Sequence, residues 1–299
     1  MPDSTAAKLI DALHAGAEVP PGCRVNHARG LLVEGRFLGV PRAAQFCASP
    51  MFNDAEQPLL VRFSDSGPDP RIRQDSPQAE PRGLAVRIGQ DSQLVLVGHS
   101  IEGFPAQDPQ TFLAFIQALN TQHAAPESLQ AHLAANARAQ RFGQLQQDTL
   151  PTGYASRSYH MLHSYRLTAA DGGTRTGRLT IRGRNADGAH KALNGRNCMD
   201  EALRHAMEAG PVALELAFTP APEEGATNDP SAGWPEHGGS MLLGYLMLER
   251  LAPDQDAQRT LVFDPSILPA GIEFVGDPLL KARLLAYRLA AERRLRGIS

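Results

Sequence analysis

"DPLLKARLLAYRLAAERR", residues 277–294, is the stretch on which the reading of this chain turns. Asp277 can cap a helix and Pro278 suits its first position, so a helix start is well signalled. At 100° per residue, Arg283, Tyr287 and Arg294 fall within about 40° of one another on the helical wheel. A free phenol titrates near ~10 and is a poor anion at neutral pH. A guanidinium one turn away can hydrogen-bond the phenolate and hold the charged form, which makes Tyr287 a candidate oxygen ligand for a metal. Spacing alone favours a plainer reading, a solvent-facing arginine stripe beside a half-buried tyrosine.

Working outward, the residues before it look like short strands with helical interruptions. Apolar stretches at 30–38, 59–64, 82–88 and 93–98 are bounded by Gly, Pro, Asp or Ser, as strands are. "YHMLHSYRLTA", "RTGRLTIRG", "PVALELAFT" and "SMLLGYLMLERL" continue the pattern, with "AADGG" as a hairpin turn between the first two. Helices are expected at 5–15, at 108–122 after an Asp-Pro start, through the Ala/Gln-rich 125–147, and at the C-terminus. Segment 219–240, rich in Pro, Gly and acidic residues, reads as a long surface loop. About eight strands at hairpin spacing predict an α+β chain, an antiparallel eight-stranded β-barrel with surrounding helices. Residues 1–21 would form an N-terminal helix and arm, and 22–299 one barrel domain ending in the last helix.

Composition narrows the function classes. The 299 residues, 42% hydrophobic and 20% charged, suit an ordinary soluble globular protein. A net charge of -3 without a basic tract makes nucleic acid and anionic membrane poor partners. Cys23, Cys47 and Cys198 cannot all pair and show no CxxC spacing, as expected of a reducing compartment. The N-terminus lacks the order of a signal peptide and no apolar run would span a bilayer, so a cytoplasmic location is expected.

The segment leading into the last helix, "FDPSILPAGIEFVGDPLLKARLLAY", resembles the proximal segment of the haem catalase superfamily, and the wording elsewhere is closer to the small catalase-related peroxidases. That resemblance implies haem b, with Tyr287 as the iron's axial ligand, Arg283 as its electrostatic partner and Arg294 as a clamp on a propionate. "CRVNHARG" is similar to the stretch holding the distal histidine, which makes His27 that residue and Arg24 a propionate contact. "LLVRFSDS" likewise implies Arg62 on a propionate and Ser64 as the hydroxyl orienting the histidine ring. Phe112 falls where the family sets an aromatic ring against the porphyrin. Without the family, His27 is a lone histidine before a strand.

Two positions depart from the pattern. In "LVLVGHSIEGFP", His99 stands where catalases carry an asparagine that helps hold peroxide. Asn26 replaces the apolar residue before the distal histidine, where its amide could hydrogen-bond His27 and draw its proton away. Both put efficient disproportionation in doubt and leave donor-dependent peroxide reduction intact. His163 reads as a satisfied barrel histidine and Trp234 as structural. The expected function is therefore a haem peroxidase acting on hydrogen peroxide or organic hydroperoxides with a small-molecule reductant, with weak catalase activity and a role in oxidative stress. The alternatives are a fatty-acid hydroperoxide isomerase and a non-enzymatic haem carrier or sensor. Set against larger catalases, the resemblance implies a minimal core without their C-terminal helical domain and much of their N-terminal arm, and with it a smaller assembly, a homodimer, is expected.

Overall fold

Each long strand buries a run of branched and aromatic side chains, and the strands coil into a closed barrel to keep those faces dry. The structure, a computed structural model, describes residues 3–16, 18–53, 56–147, 152–183, 192–222, 226–234 and 239–297. Among them the strands are β1 (Gly30–Gly39), β2 (Glu56–Ser64), β3 (Gly83–Ile88), β4 (Leu94–His99), β5 (Ser158–Thr168), β6 (Thr174–Gly183), β7 (Val212–Pro220), β8 (Met241–Leu251) and β9 (Ile272–Val275). All pairings are antiparallel, in the order β4-β3-β2-β1-β8-β7-β6-β5-β9. His99 on β4 pairs with His160 on β5, which closes the first eight strands on themselves. Gly98 permits that closure, since a Cβ there would lie 2.4 Å from the His160 carbonyl oxygen.

The expected eight-stranded barrel is therefore present, with one addition. β9, only four residues long, hangs on the C-terminal half of β5. The interior is filled by side chains such as Phe37, Phe63, Tyr154 and Tyr159, all fully buried, with Phe63 stacked on Tyr154 at 4.9 Å. Past the end of β2 lies a buried ionic cluster. Asp65 receives Arg82, the Tyr154 hydroxyl at 2.8 Å and the Gln74 amide at 3.0 Å, while Glu80 holds Arg82 and Arg157.

The helices are α1 (Asp3–Ala15), α2 (Pro109–Thr121), α3 (Pro126–Ala135), α4 (Ala137–Gln147), α5 (Cys198–Glu208) and α6 (Leu280–Leu295). Asp108 caps α2 by accepting the Thr111 N–H, as the Asp-Pro start predicts. The expected helix over 125–147 breaks at Asn136, whose extended backbone (φ -131, ψ 90) separates α3 from α4. Helix α5 was not foreseen; its buried Cys198, Met199 and Leu203 make a stripe too short for periodicity to stand out. The predicted loop over 219–240 includes 223–225 and 235–238, outside the described residues, and its Pro230 and Ser231 are buried.

Helix α1 packs against both α2 and α6. The Asn120 amide donates to the Ala12 carbonyl at 2.6 Å, and Arg293 of α6 pairs with Asp11 at 2.7 Å. Among the described residues no helix is long and apolar enough to cross a membrane. Removing one partner from the buried cluster leaves charge without compensation. Arg82→Met is expected to cost about 3–5 kcal/mol, read as a lower urea midpoint with unchanged slope.

Candidate functional site

A cavity of about 530 Å³ opens where the ends of β2, β3 and β4 meet α6 and α1, within the ~300–1,000 Å³ usual for small-molecule sites. It gathers Arg24, Asn26, His27, Arg62, Ser64, His99, Phe112, Arg283, Tyr287 and Arg294, every site residue expected from the sequence.

His27 is held in a conformation it would not choose. Its φ of 55 lies in the left-handed region, the one such non-glycine among the described residues. Hydrogen bonds pin both of its peptide groups. The Asn26 side-chain oxygen accepts the His27 N–H at 2.9 Å and the Gly67 N–H at 2.8 Å, and Arg62 donates to the His27 carbonyl at 2.9 Å. The Asn26 amide thus holds the loop and not the imidazole, which corrects the expectation that it would draw on the ring. Ser64 Oγ sits 3.2 Å from His27 Nδ1. Gly83 leaves room for that pair: a Cβ there would lie 2.4 Å from Ser64 Oγ and 2.8 Å from His27 Nδ1. Burial, with the Arg62 charge second, pushes the His27 pKa down to about 4, so the ring is neutral at pH 7.

His99 also lines the cavity. Its Nδ1 accepts the Ile101 N–H at 3.4 Å, while its Nε2 is buried with no partner among the described residues. Burial, then the charge of Arg283, lowers its pKa to about 3. Phe104 and Phe142 pack against it, and Phe112 packs on Phe104 at 4.7 Å.

Arg24, Arg62 and Arg294 converge on one short segment. Arg24 donates to the carbonyls of Gln258 (2.7 Å) and Leu261 (3.0 Å), Arg294 to those of Arg259 (2.9 Å) and Leu261 (2.8 Å), and Arg62 to the Gln258 side chain at 2.9 Å. Among the described residues none of the three has a carboxylate partner. Burial and mutual repulsion lower the Arg24 pKa to about 8; burial is also the first cause at Arg62, held at about 10. Gly30 makes the convergence possible, because a Cβ there would lie 2.3 Å from the Arg62 guanidinium. Such a trio is built to receive an anion with more than one carboxylate.

Helix α6 supplies the remaining lining. Its start is shifted from the sequence reading: Pro278 and Leu279 form a turn, but Asp277 still caps, accepting the Leu279 N–H at 2.9 Å and the Leu280 N–H at 3.0 Å. Ala282, Ala286 and Ala290 leave a low surface beside Tyr287. The Arg283 guanidinium lies over the Tyr287 ring, 5.5 Å from its centroid, and donates to the Val97 carbonyl at 3.0 Å. It is therefore stacked on the ring, where the sequence suggested a hydrogen bond to the phenol oxygen.

His163, read from sequence as a satisfied barrel histidine, belongs beside the site. Its Nδ1 lies 2.5 Å from Asp277 Oδ2, its Nε2 is buried without a partner among the described residues, and it lines the cavity. Burial lowers its pKa against the opposing pull of Asp277. The cap signal at Asp277 was readable, but its pairing with a residue 114 positions earlier was not. The lining by Leu9, Ile10 and Leu13 of α1 was also unforeseen.

The catalase family model matches residues 9–194. The chain is 28% identical over 303 residues to a catalase-related peroxidase of Mycolicibacterium paratuberculosis, covering 97% of this chain and 95% of that one. A protein of the same description from Synechococcus elongatus is 25% identical, covering 98% and 90%. Among solved structures, a fungal catalase superposes with a TM-score of 0.80 at 22% identity, and catalase A of Saccharomyces cerevisiae with 0.78 at 21%. These two show the fold alone; each is covered over 93% of this chain, which spans only 60% and 62% of theirs. With the family matched over more than half its length, the chain belongs to the catalase family of peroxide-acting oxidoreductases.

Proposed function

We propose that this protein is a haem b peroxidase that reduces hydrogen peroxide or an organic hydroperoxide at the expense of an external donor. The observation that carries the reading is one cavity holding both a neutral, hydroxyl-oriented histidine, His27 with Ser64, and a tyrosine with a guanidinium over its ring, Tyr287 with Arg283. Among the described residues no cluster of three or more His, Cys, Asp or Glu could chelate a metal. A metal held by Tyr287 would draw its other ligands from an organic group, and the lining suits a flat one with carboxylates: alanines on α6 and the arginine trio. Tyr287 would ligate the iron through its phenol oxygen, and Arg24, Arg62 and Arg294 would hold the propionates. When bound, the haem supplies the iron at which the O–O bond breaks and the two oxidising equivalents that the donor quenches.

The chain's own residues manage protons and water. If Nδ1–H of His27 donates to Ser64 Oγ, Nε2 is free to take the proton of the hydroperoxide and return it to the leaving oxygen. His99, with Nδ1 accepting from Ile101, carries its proton on Nε2 and offers the cavity one donor to steady a peroxide oxygen. Phe104, Phe112 and Phe142 exclude water around it. Arg283 lies over the Tyr287 ring and donates to the Val97 carbonyl, which leaves the phenol oxygen open toward the cavity. Leu9, Ile10 and Leu13 leave an apolar wall that tolerates the alkyl part of an organic hydroperoxide. The isomerase alternative drew on Asn26, whose side-chain oxygen is committed to two backbone amides. The carrier alternative gives no reason for a strained His27 pinned beside Ser64.

Replacing His27 with Ala is expected to leave the haem spectrum in place and slow reaction with peroxide by about 10²–10⁴-fold in stopped flow. Tyr287→Phe should instead lose or shift the haem spectrum; a variant that binds haem as the parent does would remove the axial role.

Gly83→Ala, by displacing the His27–Ser64 pair, is expected to keep haem and slow the peroxide step by about 10²-fold. Because the His27 pKa is lowered, the base form persists far below its ordinary range. The peroxide rate constant should stay flat from pH 8 to about 5 and fall roughly tenfold per unit below about 4, where the ring takes a proton. An inflection near ~6.5 would mean that this imidazole is not the base.

A further inference from the structure

A second cleft, of about 390 Å³, shares Arg24 with the cofactor cavity. Its charged lining is Arg24, Arg29, Arg71, Arg196 and Arg259 against a single carboxylate, Asp256. These charges are not equally available. Arg29 is committed to Asp65 at 3.3 Å and Asp200 at 2.9 Å. Arg71 and Arg259 are 87% and 63% exposed and lie 3.6 and 3.1 Å from Asp69 and Asp256, solvent-screened pairs that hold their side chains only weakly. Arg196 donates to the Arg71 carbonyl at 3.1 Å and has no carboxylate partner among the described residues. An incoming carboxylate would find Arg196 unpaired and the other two readily turned toward it.

The two openings differ in what they admit. Away from its arginines, the cofactor cavity is walled by Leu9, Ile10, Leu13 and phenylalanines, which disfavour an anion. The cleft is cationic, and Cys23 and Arg24 line both it and the cavity. A molecule seated there lies beside the arginine trio without crossing the space where hydroperoxide meets His27.

We propose that this cleft docks the reductant, and that the reductant is a small organic anion, a carboxylate joined to a catechol, enediol or phenol. The proposal rests on the peroxidase reading and gives its donor a chemical class. For a catechol the balance is H₂O₂ + catechol → 2 H₂O + o-quinone: the O–O bond breaks, two electrons and two protons leave the donor, and both oxygens become water.

The test compares 3,4-dihydroxybenzoate with its methyl ester, which keeps the catechol and removes the charge. The haem-loaded protein and a variant combining Arg71→Gln, Arg196→Gln and Arg259→Gln are assayed with hydrogen peroxide, and equilibrium dialysis measures 3,4-dihydroxybenzoate bound to the resting protein. The expected result is an anion-over-ester preference in kcat/KM of about tenfold or more at low salt, fading as ionic strength rises. The variant should lose that preference and the bound anion while oxidising the ester at the parent rate. Equal kcat/KM for anion and ester, or a variant that keeps the preference, overturns the docking site while ester turnover leaves the peroxidase reading standing. Turnover of neither donor, with no spectral response to peroxide, overturns that reading and the donor role with it.

Discussion

Asp277 is the joint on which the site depends. Its buried carboxylate accepts two amide protons at the start of α6 and lies 2.5 Å from His163 on β5, so one side chain fixes the last helix to the barrel wall. A helix has one rotational degree of freedom about its axis, and an anchor at its first turn removes most of it. With that set, the stripe bearing Arg283, Tyr287 and Arg294 faces the cavity, and the Arg283 bond to the Val97 carbonyl repeats the constraint one turn later.

The cavity is otherwise organised around positive charge. Arg24, Arg62 and Arg294 repel one another in a partly dry space and are satisfied by carbonyl oxygens alone among the described residues. Grouped cations of this kind cost stability by themselves and favour the binding of an anion that shares them. Burial first, and then the charges of Arg62 and Arg24, keeps His27 neutral, whereas at His99 burial is joined by the charge of Arg283. Arg24 and Arg62 thus serve both ends, offering charge to a carboxylate-bearing group and adding to the burial that keeps the His27 imidazole unprotonated. The buried cluster around Asp65 stands just past Ser64 and holds the strand end from which that hydroxyl points.

Much of this was legible locally. The cap at Asp277, the stripe on the last helix, the Asp-Pro start of α2 and the first eight strands all follow from short-range patterns, because turn chemistry and side-chain period act within a few residues. The elements that escaped, α5 and β9, are short, and a handful of residues carries too little periodicity. At the site, the residue types were readable but their bonding was not. Asn26 turned from the imidazole to two backbone amides, and Arg283 went over the ring of Tyr287 rather than to its oxygen.

By itself the sequence determined the fold class and the helix that bears Tyr287, through residue type and spacing; the grouping of His27, Ser64, His99 and the arginines came from the resemblance to the haem catalases, since residue type and spacing left it open. Only the tertiary structure decided that His163 joins Asp277 at that site, that Gly83 and Gly30 must be bare, and that α1 walls the cavity. The reason is range. These facts depend on which atoms from distant segments come within contact distance, and closing the barrel at His99 and His160 is what brings them there.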